Sequence, residues 1–326
     1  MSLQNSNKSY KNSSSKMFGR QKVKLYKIRH IIFDFGGVMS ERSFVLKNLL
    51  DSIESDLKIK IPRIDNPYIK KLKRKLSSGR LTSREFLEKI SDRYYYPYQK
   101  HNGALPAKKV NLDYYLELWF ELHTKLTKLS SDMKNIVETF HSAGYTVSLM
   151  SNVYDVYAKS NELRGFYDSF DYVFLSNEIG LIKPKIDKYK YVLKKLDAKA
   201  KQVIYIDDKI QNLVPARKLG MIVVNFESFK KFKQQLDCIG LKEISKSYRQ
   251  EINEKYKVYK MKNKQYKKAK KAYKKAKKKL LKKKGKSAKI STELEQKREE
   301  FYKIKLEFKK EKEIKKHELI LKCELD

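Results

Sequence analysis

The chain has very few cysteines and no long apolar run. Of its 326 residues only Cys238 and Cys323 are cysteines. They are too few and too far apart for a disulfide framework or a cysteine-based zinc site, which suits a reducing compartment. No segment offers the roughly 18 apolar residues that a membrane span requires, and the N-terminus lacks the apolar core of a secretory signal. These absences predict a soluble intracellular protein, either cytoplasmic or nuclear.

Acidic residues are also scarce relative to basic ones. Asp and Glu number 38 against 76 Lys and Arg, which gives a formal net charge of +38. Residues 1–30 contain eight basic residues and no acidic one, and residues 246–326 contain 31 basic and 12 acidic residues. An excess of this size favours anionic substrates or partners. Residues 1–26 are rich in Ser and Asn as well, which predicts a disordered basic tail and makes an organelle transit peptide the less favoured interpretation.

Short apolar runs alternate with helical patterns in the middle of the chain. The runs are rich in β-branched and aromatic residues, as buried strands are. They read HIIFDF, YTVSLMS, FDYVFLS, QVIYIDD and MIVVNF. Two of the intervening helical patterns end at a glycine, Gly144 and Gly220, which is a common helix stop. The alternation predicts an α/β fold with a Rossmann-like parallel sheet covered by helices on both faces.

About a hundred residues separate the first of these runs from the second, far more than one crossover helix requires. They carry apolar residues three or four positions apart, the spacing of amphipathic helices. We therefore expect a helical cap at residues 43–125, inserted into an α/β core made of residues 27–42 and 126–240. Ligands of open α/β sheets bind beyond the carboxyl ends of the strands, so the cap would lie above that site.

Residues 241–326 have the composition of a long, lysine-rich helical extension. Tyr259, Tyr266 and Tyr273 fall on one apolar stripe, and Phe301 and Phe308 fall on a second stripe after the break KKKGKSAK. The pattern predicts either a helical hairpin or a coiled coil with a partner. The basic run at residues 255–290 is typical either of a solvated helix face or of a surface that binds nucleic acid or another polyanion, with Tyr266 and Tyr273 available for stacking. It also matches a nuclear import signal.

Polar residues that can carry chemistry follow the ends of the predicted strands. They are Asp34, Ser151 with Asn152, and Asp207 with Asp208, and Lys183 lies in the segment NEIGLIKPKIDKY between two strands. Each residue taken alone is typical of a turn, a solvated loop or a helix cap. The carboxyl ends of parallel strands share one edge of the sheet, so these side chains can converge there.

The four segments, in this order and with a cap-sized insertion after the first, resemble the motifs of the haloacid-dehalogenase superfamily. They are similar above all to those of its phosphatase-like members with a helical cap. The resemblance covers about residues 28–228, including SGRLTSREFLEKI in the cap and IDDKIQNLVPARKLGM at the last motif, and it covers neither end of the chain.

The resemblance implies a hydrolase that acts on a small phosphorylated substrate. Asp34 would attack the phosphoryl group and form an aspartyl-phosphate. Ser151 would donate a hydrogen bond to that group, and Lys183 would neutralise the charge that accumulates there. The residues implied to bind substrate are Phe35, Gly36 and Asn152.

The resemblance also implies a magnesium cofactor. Mg²⁺ would bridge Asp34, the backbone carbonyl of Gly36 and Asp208, with Asp207 as an additional or outer ligand. Asn212 would orient the acidic loop.

One position departs from the family pattern. Most phosphatases of this superfamily carry a second Asp two positions after the nucleophile, where it protonates the leaving group, and this chain has Gly36 there. General acid–base catalysis is worth about 100- to 10,000-fold in rate. Glu41 is the nearest following carboxylate. The departure leaves two alternatives open: a catalytically weak or inactive scaffold that binds anionic partners through its basic extension, and a haloacid dehalogenase, whose branch also lacks the second Asp.

Overall fold

A computed structural model of the protein describes residues 23–101, 109–241, 243–282 and 296–309. The chain divides into two compact units. One unit is Ile28–Lys233, and the other combines Met1–Lys27 with Gln234–Asp326. Of the predicted tail, residues 1–22 lie outside the described part, while Leu25–Lys27 form a 3-10 turn whose Leu25 is buried.

Five parallel strands form the centre of the first unit, in the order β3-β2-β1-β4-β5. Their residues are those of the predicted apolar runs, and the inner strands β1, β2 and β4 are almost entirely buried. The strands are β1 (His30–Phe33), β2 (Thr146–Ser151), β3 (Tyr172–Leu175), β4 (Val203–Asp207) and β5 (Ile222–Asn225). The parallel α/β sheet predicted from the sequence is therefore confirmed.

Helices connect the strands and fill the long insertion after β1. They are α1 (Val45–Leu57), α2 (Pro67–Ser77), α3 (Ser83–Ile90), a π-helical turn (Ser91–Tyr95), α4 (Tyr96–His101), α5 (Leu112–Leu126), α6 (Ser131–Ser142), α7 (Asp155–Leu163), α8 (Ser176–Ile179), α9 (Ile186–Lys195), α10 (Ile210–Leu219), α11 (Phe229–Cys238) and α12 (Lys246–Lys282). Several begin at a side chain that accepts a backbone N–H: Asn66 before α2, Thr82 before α3 and Ser130 before α6. Such caps satisfy donors that the first helical turn leaves free.

Helices α1 to α5 have a hydrophobic core of their own. Apolar side chains spaced three or four residues apart, such as Leu49, Leu72 and Phe86, meet around Trp119, the only tryptophan of the chain. Burial of this many apolar side chains explains why the segment predicted as a cap folds as a compact helical layer.

Hydrogen bonds fasten this helical layer to the strand-bearing part of the unit. The Ser83 backbone N–H donates to the Asp155 carboxylate at 2.9 Å, and the Ser83 hydroxyl donates to the same group. The Trp119 indole N–H donates to the Tyr157 hydroxyl at 3.2 Å. Both acceptors lie on α7, so this helix holds the cap above the sheet.

The second unit contains α12 and a helix at residues 296–309, which contact each other through aromatic rings. Tyr266 stacks on Phe308 with ring centroids 4.8 Å apart, and Tyr273 stacks on Phe301 at 5.3 Å. These contacts are those of a helical hairpin. Apart from Lys282, the break KKKGKSAK lies outside the described residues, and a coiled-coil partner stays a prediction.

No helix in the described part of the chain is both long and apolar enough to cross a membrane.

Candidate active site

The carboxyl ends of β1, β2 and β4 lie at one edge of the sheet and place predicted site residues there. β1 lies between β2 and β4, with Phe33 opposite Leu149 on one side and Ile206 on the other. The next residue, Asp34, still donates its backbone N–H to the Ile206 carbonyl at 2.9 Å. Asp34 and Asp207 therefore lie side by side at the strand ends, and both are buried.

Lys183 lies between these two carboxylates. Its Nζ is 2.7 Å from Asp34 Oδ1 and 2.8 Å from Asp207 Oδ2. The lysine's backbone is fixed by Asn152, whose amide accepts from the Lys183 N–H and donates to the Lys183 carbonyl, each at 2.9 Å. Asn152 therefore positions the lysine, and its predicted contact with substrate stays a prediction.

In the cluster of Asp34, Lys183 and Asp207, burial and the neighbouring charges shift each pKa in opposite directions. Burial raises the pKa of Asp34 although the Lys183 ammonium opposes that rise. Burial disfavours the charge of Lys183, but the two carboxylates outweigh it and raise the pKa of the lysine. Lys183 and hydrogen bonds from neighbouring groups overcome burial at Asp207 and lower its pKa. The site thus holds a charged lysine between two carboxylates with almost no exposure to water.

Asp207 has a full set of donors. The Asn212 amide lies 3.0 Å from Asp207 Oδ1, the Lys209 backbone N–H donates to the same oxygen at 2.8 Å, and the Tyr205 hydroxyl donates to Oδ2 together with Lys183. Asn212 thus contacts the acidic loop through Asp207, and the supporting role that the family resemblance implies for it stays a prediction. Tyr205 was missed by sequence reasoning, because a tyrosine inside a buried strand is an ordinary core residue.

Asp208 differs from Asp207 in having an oxygen free. Its Oδ2 pairs with the Arg42 guanidinium, whose Nε is 2.6 Å away, whereas its Oδ1 is buried and has no hydrogen-bond partner among the described residues. Gly37 makes room for this carboxylate: its φ is +95°, and a Cβ there would collide with Asp208 Oδ2. Of the two adjacent glycines, it is therefore Gly37 whose place requires a glycine.

Gly36 stands in open space. A Cβ added there would meet no heavy atom within 4 Å. Position 36 therefore has room for the second Asp of the family pattern, and crowding does not explain its absence. The Phe35 backbone N–H donates to Asp34 Oδ1 at 2.7 Å, so this amide orients the carboxylate in the structure.

A cavity of about 450 Å³ opens between the cap and the strand ends. Gly36, Ser151 and Asn152 line it from the sheet side, and Lys73 lines it from α2 in the cap. Glu41 is the one acidic residue in its described lining. Four of the predicted site residues, Phe35, Gly36, Ser151 and Asn152, therefore border a cavity of the size that holds small ligands. The cluster of Asp34, Lys183, Asp207 and Asp208 is not part of its described lining.

Two residues near this cavity were not found from the sequence. The Lys188 ammonium group is fully buried and donates to the Ser151 carbonyl at 2.6 Å, and burial followed by the Lys183 charge lowers its pKa well below the ordinary value. Nothing in a run of lysines marks this one as buried. Burial also lowers the pKa of His123 to about 4, with the Arg164 charge adding to the effect. This histidine lines the cavity as a neutral ring stacked on Tyr157.

Three carboxylates could hold a metal ion. One oxygen from each of Asp34, Asp207 and Asp208 lies within 4.8 Å of the others. The unpartnered Asp208 Oδ1 gives this set an oxygen ready to serve as a ligand. Hard oxygen donors of this kind suit Mg²⁺.

Known proteins similar to the chain include hydrolases and phosphatases. Residues 31–226 match the family model described as haloacid dehalogenase-like hydrolase. A sesquiterpene phosphatase of Aspergillus oryzae is 29% identical over 104 residues, which are 32% of this chain and 53% of that protein. The chain thus spans about half the length of this relative. A D-ribitol-5-phosphate phosphatase of Bacteroides thetaiotaomicron is 21% identical over 65% of this chain and 98% of its own length.

A solved HAD family enzyme of the same bacterium superposes with a TM-score of 0.50 and 20% identity, covering 64% of this chain and 98% of its own. At this identity the likeness shows a shared fold. The family model matches more than half of the chain and includes the strands that carry Asp34, Ser151 and Asp207. The chain belongs to the family of haloacid dehalogenase-like hydrolases.

Proposed function

We propose that the protein is a Mg²⁺-dependent phosphomonoester hydrolase in which Asp34 is the nucleophile. The observation that carries the proposal is the buried arrangement of Asp34, Lys183 and Asp207 next to the carboxylate of Asp208. The neighbouring residues Phe35 and Gly36 line a small cavity. The phosphatase relatives support the same reaction class.

The proposed metal ligands are Asp34, Asp208 and the backbone carbonyl of Gly36. Asp207 is assigned a supporting role, because Lys183, Tyr205, Lys209 and Asn212 already donate to its oxygens. When bound, Mg²⁺ would offset the negative charge shared by the carboxylate and the phosphoryl group.

In the proposed reaction an oxygen of Asp34 attacks phosphorus, and the bond between phosphorus and the ester oxygen breaks. The positive charge of Lys183 offsets the negative charges of the second Asp34 oxygen and of the incoming phosphoryl group. The Ser151 hydroxyl donates a hydrogen bond to a phosphoryl oxygen. Water then attacks phosphorus, the bond to Asp34 breaks, and inorganic phosphate leaves.

The departing alcohol requires a proton that position 36 does not supply. Glu41 lines the cavity and is our candidate for this donor, a role that a carboxyl group can fill when it reaches the leaving oxygen. Without an effective donor the enzyme would favour esters of acidic alcohols such as aryl phosphates, whose leaving groups need little protonation.

The decisive test is hydrolysis of an aryl phosphate with and without Mg²⁺ by the wild type and by Asp34→Asn. Loss of the nucleophile should lower kcat by at least about a thousandfold. Asp132→Asn is the matched control, since Asp132 is exposed on the first turn of α6, and it should keep full activity. Turnover that survives in Asp34→Asn would remove Asp34 from the role of nucleophile.

The dehalogenase alternative predicts a different product. It requires an apolar cradle for a halide, whereas the lining of the cavity includes Ser40, Arg42, Lys47 and Lys73. Halide release from a short haloacid, measured beside phosphate release by the same preparation, distinguishes the two reactions.

A second candidate function is polyanion binding by the helical extension, with or without catalysis in the other unit. Residues 255–282 contain 15 lysines and no acidic residue. The tyrosines proposed for base stacking instead stack on Phe301 and Phe308, so the expected binding is electrostatic and independent of base sequence.

Replacing Lys267, Lys268, Lys270 and Lys271 together by Gln tests this candidate. The affinity for duplex nucleic acid should fall, and the slope of log K against log salt should become shallower by roughly one unit for each phosphate that is no longer neutralised. A matched control replaces Lys194, Lys195, Lys230 and Lys233, which lie outside the extension. Equal affinity and equal slope in both variants and the wild type would rule the extension out as the binding surface.

A further inference from the structure

Two lysines of the cavity lack a negatively charged partner. Lys73 on α2 and Lys209, just before α10, both line it. Neither forms an ion pair within the described part of the chain, whereas the other basic side chains of the lining do: Arg42 pairs with Asp208, and Lys47 pairs with Asp51 at 2.5 Å. The uncompensated positive charge of the cavity is therefore concentrated on Lys73 and Lys209.

These two charges act on each other and on the nucleophile. Burial lowers the pKa of Lys73, and the charges of Lys70 and Lys209 lower it further. The Lys209 charge also favours the ionised form of Asp34. Lys209 is exposed, but Lys73 is half-buried. A half-buried charge next to a like charge and without a counter-ion costs free energy, and a bound anion would remove that cost.

The phosphoryl group that reacts at Asp34 does not supply the missing counter-charge of Lys73. That group is served at the floor of the site by Lys183, which is 2.7 Å from Asp34 and has 1% of its side chain exposed. Lys73 instead lines the cavity from α2, a helix of the cap. A substrate that spans the cavity would present its far end to this lysine.

Resting on the proposed phosphatase function, we propose that the substrate carries a second anionic group, a carboxylate or a second phosphate, which Lys73 and Lys209 bind. The cavity volume of about 450 Å³ fits a small phosphorylated metabolite of this class. Lys73 and Lys209 are thus specificity-determining residues, and the cap selects doubly anionic substrates.

The test uses the full-length protein with Mg²⁺ at constant ionic strength and three small substrates with similar carbon chains. Glycerol 3-phosphate has a neutral far end, 3-phosphoglycerate has a carboxylate, and propane-1,3-diol bisphosphate has a second phosphate. The variants are Lys73→Met and Lys209→Met, which keep an apolar stem without the charge. Lys70→Met is the matched control, because Lys70 lies on the same helix but not in the lining of this cavity.

The wild type should prefer one or both doubly anionic substrates. Lys73→Met should lower kcat/KM for those substrates by about 10- to 100-fold, mainly through KM, the range expected for a charge-assisted hydrogen bond. The neutral-ended substrate and the Lys70→Met variant should change little. The comparison of the two anionic substrates identifies which second group the lysines select.

Two results would overturn the proposal: no preference of the wild type for a second anion, or an equal loss for all three substrates in Lys73→Met. A thermal-shift titration of the same compounds against Asp34→Asn, with and without Lys73→Met, measures binding without turnover. If no phosphate is released from any compound, the proposed reaction fails, and this titration still decides whether Lys73 binds a second anion.

Discussion

At the scale of single residues, the site depends on one lysine that compensates two buried carboxylates. Lys183 contacts both Asp34 and Asp207, and almost none of the three side chains is exposed. Removing one member of a buried ion pair leaves a charge without compensation and costs about 3–5 kcal/mol.

Lys183→Met is therefore expected to lower both stability and activity. The free energy of unfolding should fall by about 3–5 kcal/mol, measured by denaturant titration of Trp119 fluorescence. Lys185→Met, two positions along the chain, is the control and should leave stability unchanged. Unaltered stability in Lys183→Met would mean that the two carboxylates are not both ionised in the folded protein.

A second residue-scale prediction concerns the glycine at position 36. There is open space for a side chain there, and an Asp would supply the missing proton donor. Gly36→Asp should therefore raise kcat on alkyl phosphates, by up to about 100-fold, and should change kcat much less on aryl phosphates. Gly37→Ala is the contrasting variant, because its φ of +95° and the neighbouring Asp208 exclude a side chain, and it should lose activity. Equal rates for Gly36→Asp and the wild type on alkyl phosphates would show that leaving-group protonation is supplied elsewhere.

His123 makes stability depend on pH. Burial lowers its pKa to about 4, compared with about 6.5 in an unfolded chain. The unfolded state therefore binds more protons below pH 6.5, so stability should be lost as pH falls from about 6.5 to about 4, by up to about 3 kcal/mol. His123→Phe should show a smaller loss over this interval, measured by chemical unfolding at several pH values. Leu126→Phe, which adds a phenylalanine at an exposed position of the same helix, is the control and should keep the wild-type slope.

At the scale of elements, α7 joins the cap to the strands. Asp155 at its start accepts both the backbone N–H and the hydroxyl of Ser83, the first residue of α3. The cap-side end of the cavity therefore depends on a carboxylate that lies outside the cap.

Asp155→Ala should loosen this connection without removing any residue from the lining of the cavity. We expect KM to rise by about three- to tenfold, because losing a charge-assisted hydrogen bond is worth roughly 1 kcal/mol or more, with a smaller change in kcat. Faster proteolysis between α2 and α3 should accompany the rise in KM. Glu162→Ala on the same helix is the control, since Glu162 is exposed and its ion-pair partner among the described residues is Lys159. Unchanged KM and proteolysis in Asp155→Ala would mean that apolar packing alone holds the cap.

At the scale of the whole molecule, the two units have separate sources of stability. The first is built on the sheet and on the apolar cluster around Trp119. The second is held in its described part by aromatic contacts, in which Phe301 is buried and stacks on Tyr266 and Tyr273.

Phe301→Ala should therefore weaken the hairpin selectively. Removing a buried phenylalanine costs about 3–5 kcal/mol, so helix content by circular dichroism should fall at lower denaturant or temperature than in the wild type. The unfolding transition reported by Trp119 fluorescence and the phosphatase rate should stay unchanged. Tyr302→Ala is the control, because Tyr302 is half exposed. A parallel shift of both signals would mean that the two units unfold together.

The pattern of apolar residues determined much of this protein. Strand and helix periodicities were sufficient to predict the parallel sheet and the helices of the insertion, because the apolar residues of a buried face must repeat with the period of their strand or helix. The order of the strand ends was sufficient to predict that Asp34 and Asp207 lie at one edge, since parallel strands end on the same side. Lys183 lies in a loop between helices, and only the structure shows its contact with both carboxylates.

Only the tertiary structure decided how these side chains share their contacts. Asn152 holds the Lys183 backbone, and the Lys188 amine is buried beside Ser151, although neither role leaves a mark in the sequence. Position 37, and not position 36, requires a glycine, because a side chain there would collide with Asp208, which is more than a hundred residues away in the chain. Charge compensation and crowding depend on distances between side chains that lie far apart in sequence, and periodicity carries no information about those distances.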